Sequence, residues 1–151
     1  MSASEKTALF IAWERALESK RPDALFSDPL AEKLVGESGE ASSGKFASVS
    51  SAFGLGDWSE YHQQWTAVRT TYIDRWLNTS VENAGDSAEH LQVVNLGAGV
   101  CTRPYRLECL SKVRAVFQVD LENMTKFRQR ALASLDDIEP LARSIVDISY
   151  D

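Results

Sequence analysis

The stretch Val93-Val94-Asn95-Leu96-Gly97-Ala98-Gly99 constrains this 151-residue chain more than any other. Residues 91–96 form a short apolar run that reads as a strand, and two closely spaced glycines then turn the chain ahead of a helix. Gly97 and Gly99 lack a Cβ, so a ligand can approach the backbone there. Asp120 ends the next apolar run, 21 residues after Gly99. An acid at that place can accept hydrogen bonds from both hydroxyls of a ribose. The pair forms a nucleoside-binding constellation, and the structural alternative is a tight turn with a helix cap.

The pattern around this turn repeats strand and helix. Residues 115–119 read as a second strand, 124–135 as a helix and 143–148 as a third strand, with a shorter helix near 104–110. That βαβαβ order predicts a parallel sheet with right-handed crossovers. Upstream the chain reads as helical. Ser2 and Glu5 form a capping-box pattern, and Leu9, Ala12, Ala16 and Leu17 make one apolar stripe. Pro22 ends this helix, and Asp28-Pro29 caps a short one running to about residue 36. Half of residues 36–57 are Gly or Ser without a sustained period, which predicts a flexible loop, either disordered or a lid. A helix over 58–78, capped by Asp57, has an apolar face of Tyr61, Trp65, Val68, Tyr72 and Trp76 with neighbouring Ile73 and Leu77, whose aromatic stripe is expected in the core, and 79–90 reads as a polar linker. Residues 1–90 are thus expected to form a helical cap and 91–151 the first half of a nucleotide-binding sheet.

Composition narrows the partners. A net charge of −6 and no Lys/Arg stripe argue against nucleic acid. No apolar run has the length of a membrane span and residues 1–6 lack a signal-peptide pattern, so a cytoplasmic address is the expectation. Cys101 and Cys109 belong to no CxxC or Cys/His cluster, which argues against a structural metal site. His62 and His90 read as surface or packing histidines, and Cys101 as a small buried thiol.

A dinucleotide fold wants a third glycine to seat pyrophosphate at a helix N-terminus, and Thr102 stands at that position. This weakens a nicotinamide-dependent oxidoreductase reading and favours S-adenosyl-L-methionine, which has no pyrophosphate. Residues 92–107, QVVNLGAGVCTRPYRL, resemble the LGAGxDTRxxRL signature of the leucine carboxyl methyltransferase family. The segment Arg21-Pro22-Asp23-Ala24-Leu25-Phe26-Ser27-Asp28-Pro29-Leu30-Ala31 resembles its RPDALFxDPLA motif. Arg69-Thr70, Val119-Asp120-Leu121 and Val146-Asp147-Ile148 are similar to three further family motifs in the correct order.

The resemblance implies a Rossmann-like class I methyltransferase of α/β class, with a helical N-terminal cap and an incomplete parallel sheet. It implies that Lys20 and Arg69 bind the methionine carboxylate, that Gly97 and Gly99 line the cofactor, that Asp120 holds the ribose and that Asp147 sits near the adenine. The implied reaction transfers a methyl group to a carboxylate or hydroxyl of a small metabolite, or to a protein C-terminal carboxylate. No catalytic residue is assigned. Two departures stand out. Cys101 replaces the family's aspartate, and the later part of the sheet, with the substrate-binding region, is absent from the 151 residues. A second expectation is therefore a non-catalytic module that binds cofactor or a partner, completing its sheet by self-association or with a separate C-terminal half.

Overall fold

The computed structural model describes residues 3–56 and 58–150. Ser2 and Asp57, the two expected helix caps, lie outside these. The chain divides into two compact units, residues 1–71 and 72–151.

The first unit is helical: α1 (Ala3–Ser19), α2 (Pro29–Ala52) and the early turns of α3 (Trp58–Ala84). Leu9, Ala12 and Ala16 are buried along α1, as the stripe requires. Asp28 starts α2 as expected, its Oδ1 accepting from the Ala31 N–H at 3.2 Å with Pro29 in the first helical turn. Its other oxygen pairs with Arg15 Nε at 2.8 Å, and the Ser19 hydroxyl accepts the Asp28 N–H. The cap is therefore tied to the end of α1.

The expected loop over 36–57 is corrected. The chain kinks at Gly36 (φ 43°, ψ −137°) and then resumes as helix to Ala52, so only residues 53–56 are left as a turn among the described part of that segment. The small residues serve packing rather than flexibility. A Cβ on Gly39 would lie 2.5 Å from Val35 Cγ2 and 3.1 Å from Trp13 Cβ, so glycine lets α2 approach α1. The Ser42 and Ser48 hydroxyls donate to the carbonyls of Ser38 and Gly44, one turn back, and so find partners inside the helix.

A second correction concerns α3. Of the expected apolar face, Leu77 is buried and Ile73 packs partly buried against the core cluster, but Tyr61, Trp65, Val68, Tyr72 and Trp76 are exposed, and Thr66, Ala67, Thr70, Thr71, Asp74 and Val81 are buried instead. In the first turns Thr66 Oγ1 donates to buried Glu14, which also pairs with His62 Nδ1 at 2.9 Å, and in the later turns Leu77 and Val81 pack into the apolar cluster. The expected linker at 79–90 is helical as well, as α3 continues to Ala84 and a 3₁₀ segment covers Gly85–His90. Val81 and Ala88 are buried in the apolar cluster and anchor it.

The second unit carries β1 (Gln92–Leu96), β2 (Ala115–Leu121) and β3 (Ile145–Tyr150), parallel and in the order β1-β2-β3. Val93 lies opposite Val116, and Val116 opposite Ile145, which puts all three on one face. That face packs on a cluster including Leu77, Val81, Leu110 and Val113. Between the strands lie α4 (Arg103–Arg106), a 3₁₀ turn at Glu108–Ser111 and α5 (Glu122–Ala133). The other face presents Val94, Leu96, Ile148 and Tyr150 to solvent. The architecture is α/β, with helices and a small parallel sheet.

Candidate cofactor site

The site grows from the end of β1. Gly97 and Ala98 both donate their N–H to the Val119 carbonyl, at 2.9 and 3.1 Å, so β2 holds the turn as it leaves the sheet. Gly97 has φ 66° and Gly99 φ 52°, a conformation that costs an L side chain roughly 1–2 kcal/mol. Gly97 is exposed, and a Cβ built on it meets nothing within 4 Å. There is open space beside the bare backbone.

Asp120, near the end of β2, is buried and faces this turn. Its Oδ2 accepts from the Gly99 N–H at 2.6 Å and its Oδ1 from the Leu121 N–H at 2.7 Å. Each oxygen accepts one backbone hydrogen, and a carboxylate has about four lone-pair sites, so acceptor capacity is left for a ligand.

Arg128 of α5 completes the arrangement from the opposite side. Its side chain is 0% exposed, donating from Nη1 to the Gly99 carbonyl at 2.6 Å and from Nη2 to Asp147 Oδ1 at 2.8 Å. Gln129 Nε2 donates to the other Asp147 oxygen at 2.9 Å. Gly99 is thus held at its N–H by Asp120 and at its carbonyl by Arg128. Asp147 lies within β3, opposite Gln118. Tyr105 stands in the same electrostatic environment: burial pushes its phenol up, the negative charge of Asp147 adds to the rise and Arg128 opposes it.

A third set of contacts fixes the chain just past the turn. Asp74 of α3 lies 2.6 Å from Arg103 Nε through Oδ1 and 2.6 Å from Arg106 Nη2 through Oδ2. Cys101, buried as expected, receives a weak contact from Arg103 Nη1 at 3.6 Å. The thiol has not left the arginine without a carboxylate, because Asp74 supplies one.

Four of the six expected site residues, Gly97, Gly99, Asp120 and Asp147, are brought together in the second unit by these bonds. Lys20 and Arg69 belong to the first unit. Lys20 Nζ pairs with Glu32 at 2.7 Å and lies 5.5 Å from the centre of the Trp13 ring. Arg69 is exposed on α3, and its charge is one of the influences that oppose the rise of the Glu14 pKa. Arg128 and Asp74 escaped sequence reasoning. Arg128 stands in a run with Lys126 and Arg130 that gives no hint which cation turns inward.

A parallel sheet, a glycine turn with open space at its backbone and a buried acid at the end of the neighbouring strand make a Rossmann-like arrangement. Residues 8–149 match the family described as Leucine carboxyl methyltransferase, and the chain belongs to that family of S-adenosyl-L-methionine-dependent methyltransferases. It is 36% identical over 129 residues to a protein of Parafrankia sp. (strain EAN1pec) that carries the provisional name S-adenosyl-L-methionine-dependent methyltransferase, an alignment covering 85% of this chain and 39% of that one. A Streptomyces coelicolor protein of the same provisional name is 37% identical over 143 residues, with 92% and 44% covered. A third, from Mycobacterium sp. (strain KMS), is 33% identical over 141 residues, with 91% and 45% covered. The chain spans under half the length of these curated relatives.

Proposed function

We propose that this chain binds S-adenosyl-L-methionine at the Gly97–Gly99 turn and that the protein it represents transfers the cofactor's methyl group to an oxygen nucleophile. The observation that carries the reading is the Asp120 carboxylate, buried and held against the Gly99 N–H beside the open backbone of Gly97. The residues present fit the group: the turn admits a ligand against main chain, and Asp120 retains lone pairs for two ribose hydroxyls. A dinucleotide fits less well, because Thr102 replaces the third glycine and the α4 that follows is a single turn. In this reading Asp120 holds the ribose and Gly97 and Gly99 line the cofactor. Asp147 faces the adenine, kept in place by Arg128 and Gln129, and Lys20 and Arg69 answer the methionine carboxylate by charge-assisted hydrogen bonds.

The bound cofactor supplies an already activated sulfonium methyl, so this chain's residues contribute binding, alignment and electrostatics. The acceptor class is a carboxylate or hydroxyl of a small metabolite, or a protein C-terminal carboxylate. Incubation with methyl-labelled cofactor and a panel of both acceptor types tests this. A base-labile labelled product marks a carboxylate and a base-stable one a hydroxyl, while label appearing only on nitrogen or carbon would contradict the oxygen assignment.

A second reading has its own observation. Val94, Leu96, Ile148 and Tyr150 leave one face of the sheet apolar and exposed, although parallel sheets are ordinarily covered on both faces. These 151 residues alone would then associate, with a second copy or with a separately supplied C-terminal half, and bind cofactor without efficient turnover. Light scattering at micromolar concentration tests it: a strictly monomeric 16.8 kDa species with normal turnover excludes it.

A further inference from the structure

The first unit contains a cleft that the methyl-transfer reading does not use. It lies between α1 and the later part of α2 as a cleft open to solvent, with a volume of about 410 Å³, within the range of small-molecule sites. Phe10 and Phe46 meet in it with ring centres 4.5 Å apart, and Ala41 and Val49 extend the apolar lining along α2. Residues 38, 41, 42, 45, 46 and 49 line it, a helical spacing that turns one face of α2 toward the cleft.

Charge selects the ligand. Lys6 and Lys45 line the cleft, no acidic residue does, and neither lysine forms an ion pair among the described residues. This is against the sign of the whole chain, which carries 22 acidic and 16 basic residues. Two ammonium groups beside an aromatic-lined cleft complement a molecule with an apolar tail and one anionic head.

The geometry points to a binding site for a monomeric medium-chain carboxylate, its tail against Phe10, Phe46 and Ala41 and its head between Lys6 and Lys45. The site does not depend on the methyl-transfer reading, since every lining residue belongs to residues 1–71.

Calorimetric titration of the 151-residue chain with octanoate and with octan-1-ol tests the assignment. Octanoate should bind saturably and about tenfold more tightly than the alcohol, a preference that weakens with added salt. Lys6→Gln with Lys45→Gln should abolish the preference and leave the alcohol's affinity unchanged. Both positions are exposed, so this double variant does not depend on refolding a core. Ala41→Trp, also at an exposed position, should weaken both ligands about tenfold by filling the cleft. Equal affinity for acid and alcohol, absence of saturable octanoate binding, or a preference that survives the double lysine variant would overturn the proposal. Binding to phosphatidylglycerol vesicles without binding of monomeric octanoate would do the same, by making this a lipid-surface contact.

Discussion

Arg128 Nη1 lies 2.6 Å from the carbonyl oxygen of Gly99, and through this bond a fully buried guanidinium on α5 holds the glycine turn of the candidate cofactor site. The same side chain reaches Asp147 on β3. One residue therefore joins three separate segments of the second unit.

Arg128→Met keeps the bulk of the side chain and removes both bonds. Breaking a buried, paired charge costs about 3–5 kcal/mol, and partial exposure of Asp147 lowers the expectation to about 2–3 kcal/mol. Urea denaturation should show this loss, and cofactor affinity should fall further than in a control core variant of equal stability, such as Val113→Ala. Affinity falling no further than in that control would reduce Arg128 to a packing residue.

Gly97→Ala separates conformation from ligand space. The positive φ makes alanine cost roughly 1–2 kcal/mol in stability, while no neighbour lies close enough to clash. Cofactor affinity should drop by more than this strain accounts for, because the new methyl projects into the open space. Thermal melting and adenosylhomocysteine titration measure the two effects independently.

Two glycines of α2 should respond with opposite signs. Gly44 is helical with nothing within 4 Å of a built Cβ, so Gly44→Ala should stabilise by about 0.5–1 kcal/mol. Gly39→Ala should destabilise, since its Cβ would overlap Val35 and crowd Trp13. A flexible loop over these residues would leave both substitutions near neutral in a thermal melt.

That contrast shows where the sequence was legible and where it was not. The order of strands and helices around Gly97–Gly99, the cap at Asp28 and the placement of Asp120 beside the turn follow from period, capping chemistry and glycine spacing, all local properties. Residues 36–52 looked like a loop because glycine and serine disfavour isolated helices, whereas here they permit close approach of α1 or bond back to the helix itself. The aromatic stripe of α3 pointed the wrong way for a comparable reason. Its first turns bury Thr66, which bonds to Glu14 52 residues away in sequence, and its later turns bury Leu77 and Val81 in the cluster under the sheet, contacts that leave no mark in the period of the aromatic residues. Arg128 and Asp74 were invisible because what matters is which partner folding places opposite them.

Glu14 predicts a pH dependence. Burial raises its carboxyl above the ordinary range, with Thr66 and His62 opposing the rise. A folded pKa above the unfolded one favours the native state at low pH, and that contribution is lost as pH climbs through the raised value. Glu14→Gln, which keeps an acceptor for Thr66 and cannot ionise, should therefore gain stability relative to the native chain as pH rises from 4 to 7. Denaturant titrations across that range read the difference, and a constant gap between the two proteins would show that Glu14 does not titrate in the fold as described.

Whether Asp120 and the glycine turn receive the ribose of S-adenosyl-L-methionine is decided by calorimetry with adenosylhomocysteine, NAD and the Asp120→Ala variant. Hydrogen bonds to a charged group contribute about 1.5–3 kcal/mol, so losing this carboxylate should weaken binding roughly tenfold to a hundredfold. Adenosylhomocysteine should bind in preference to NAD, and the variant should lose this affinity while remaining folded. Preference for NAD, or a folded Asp120→Ala chain that binds adenosylhomocysteine as tightly as the native one, would contradict the ribose assignment.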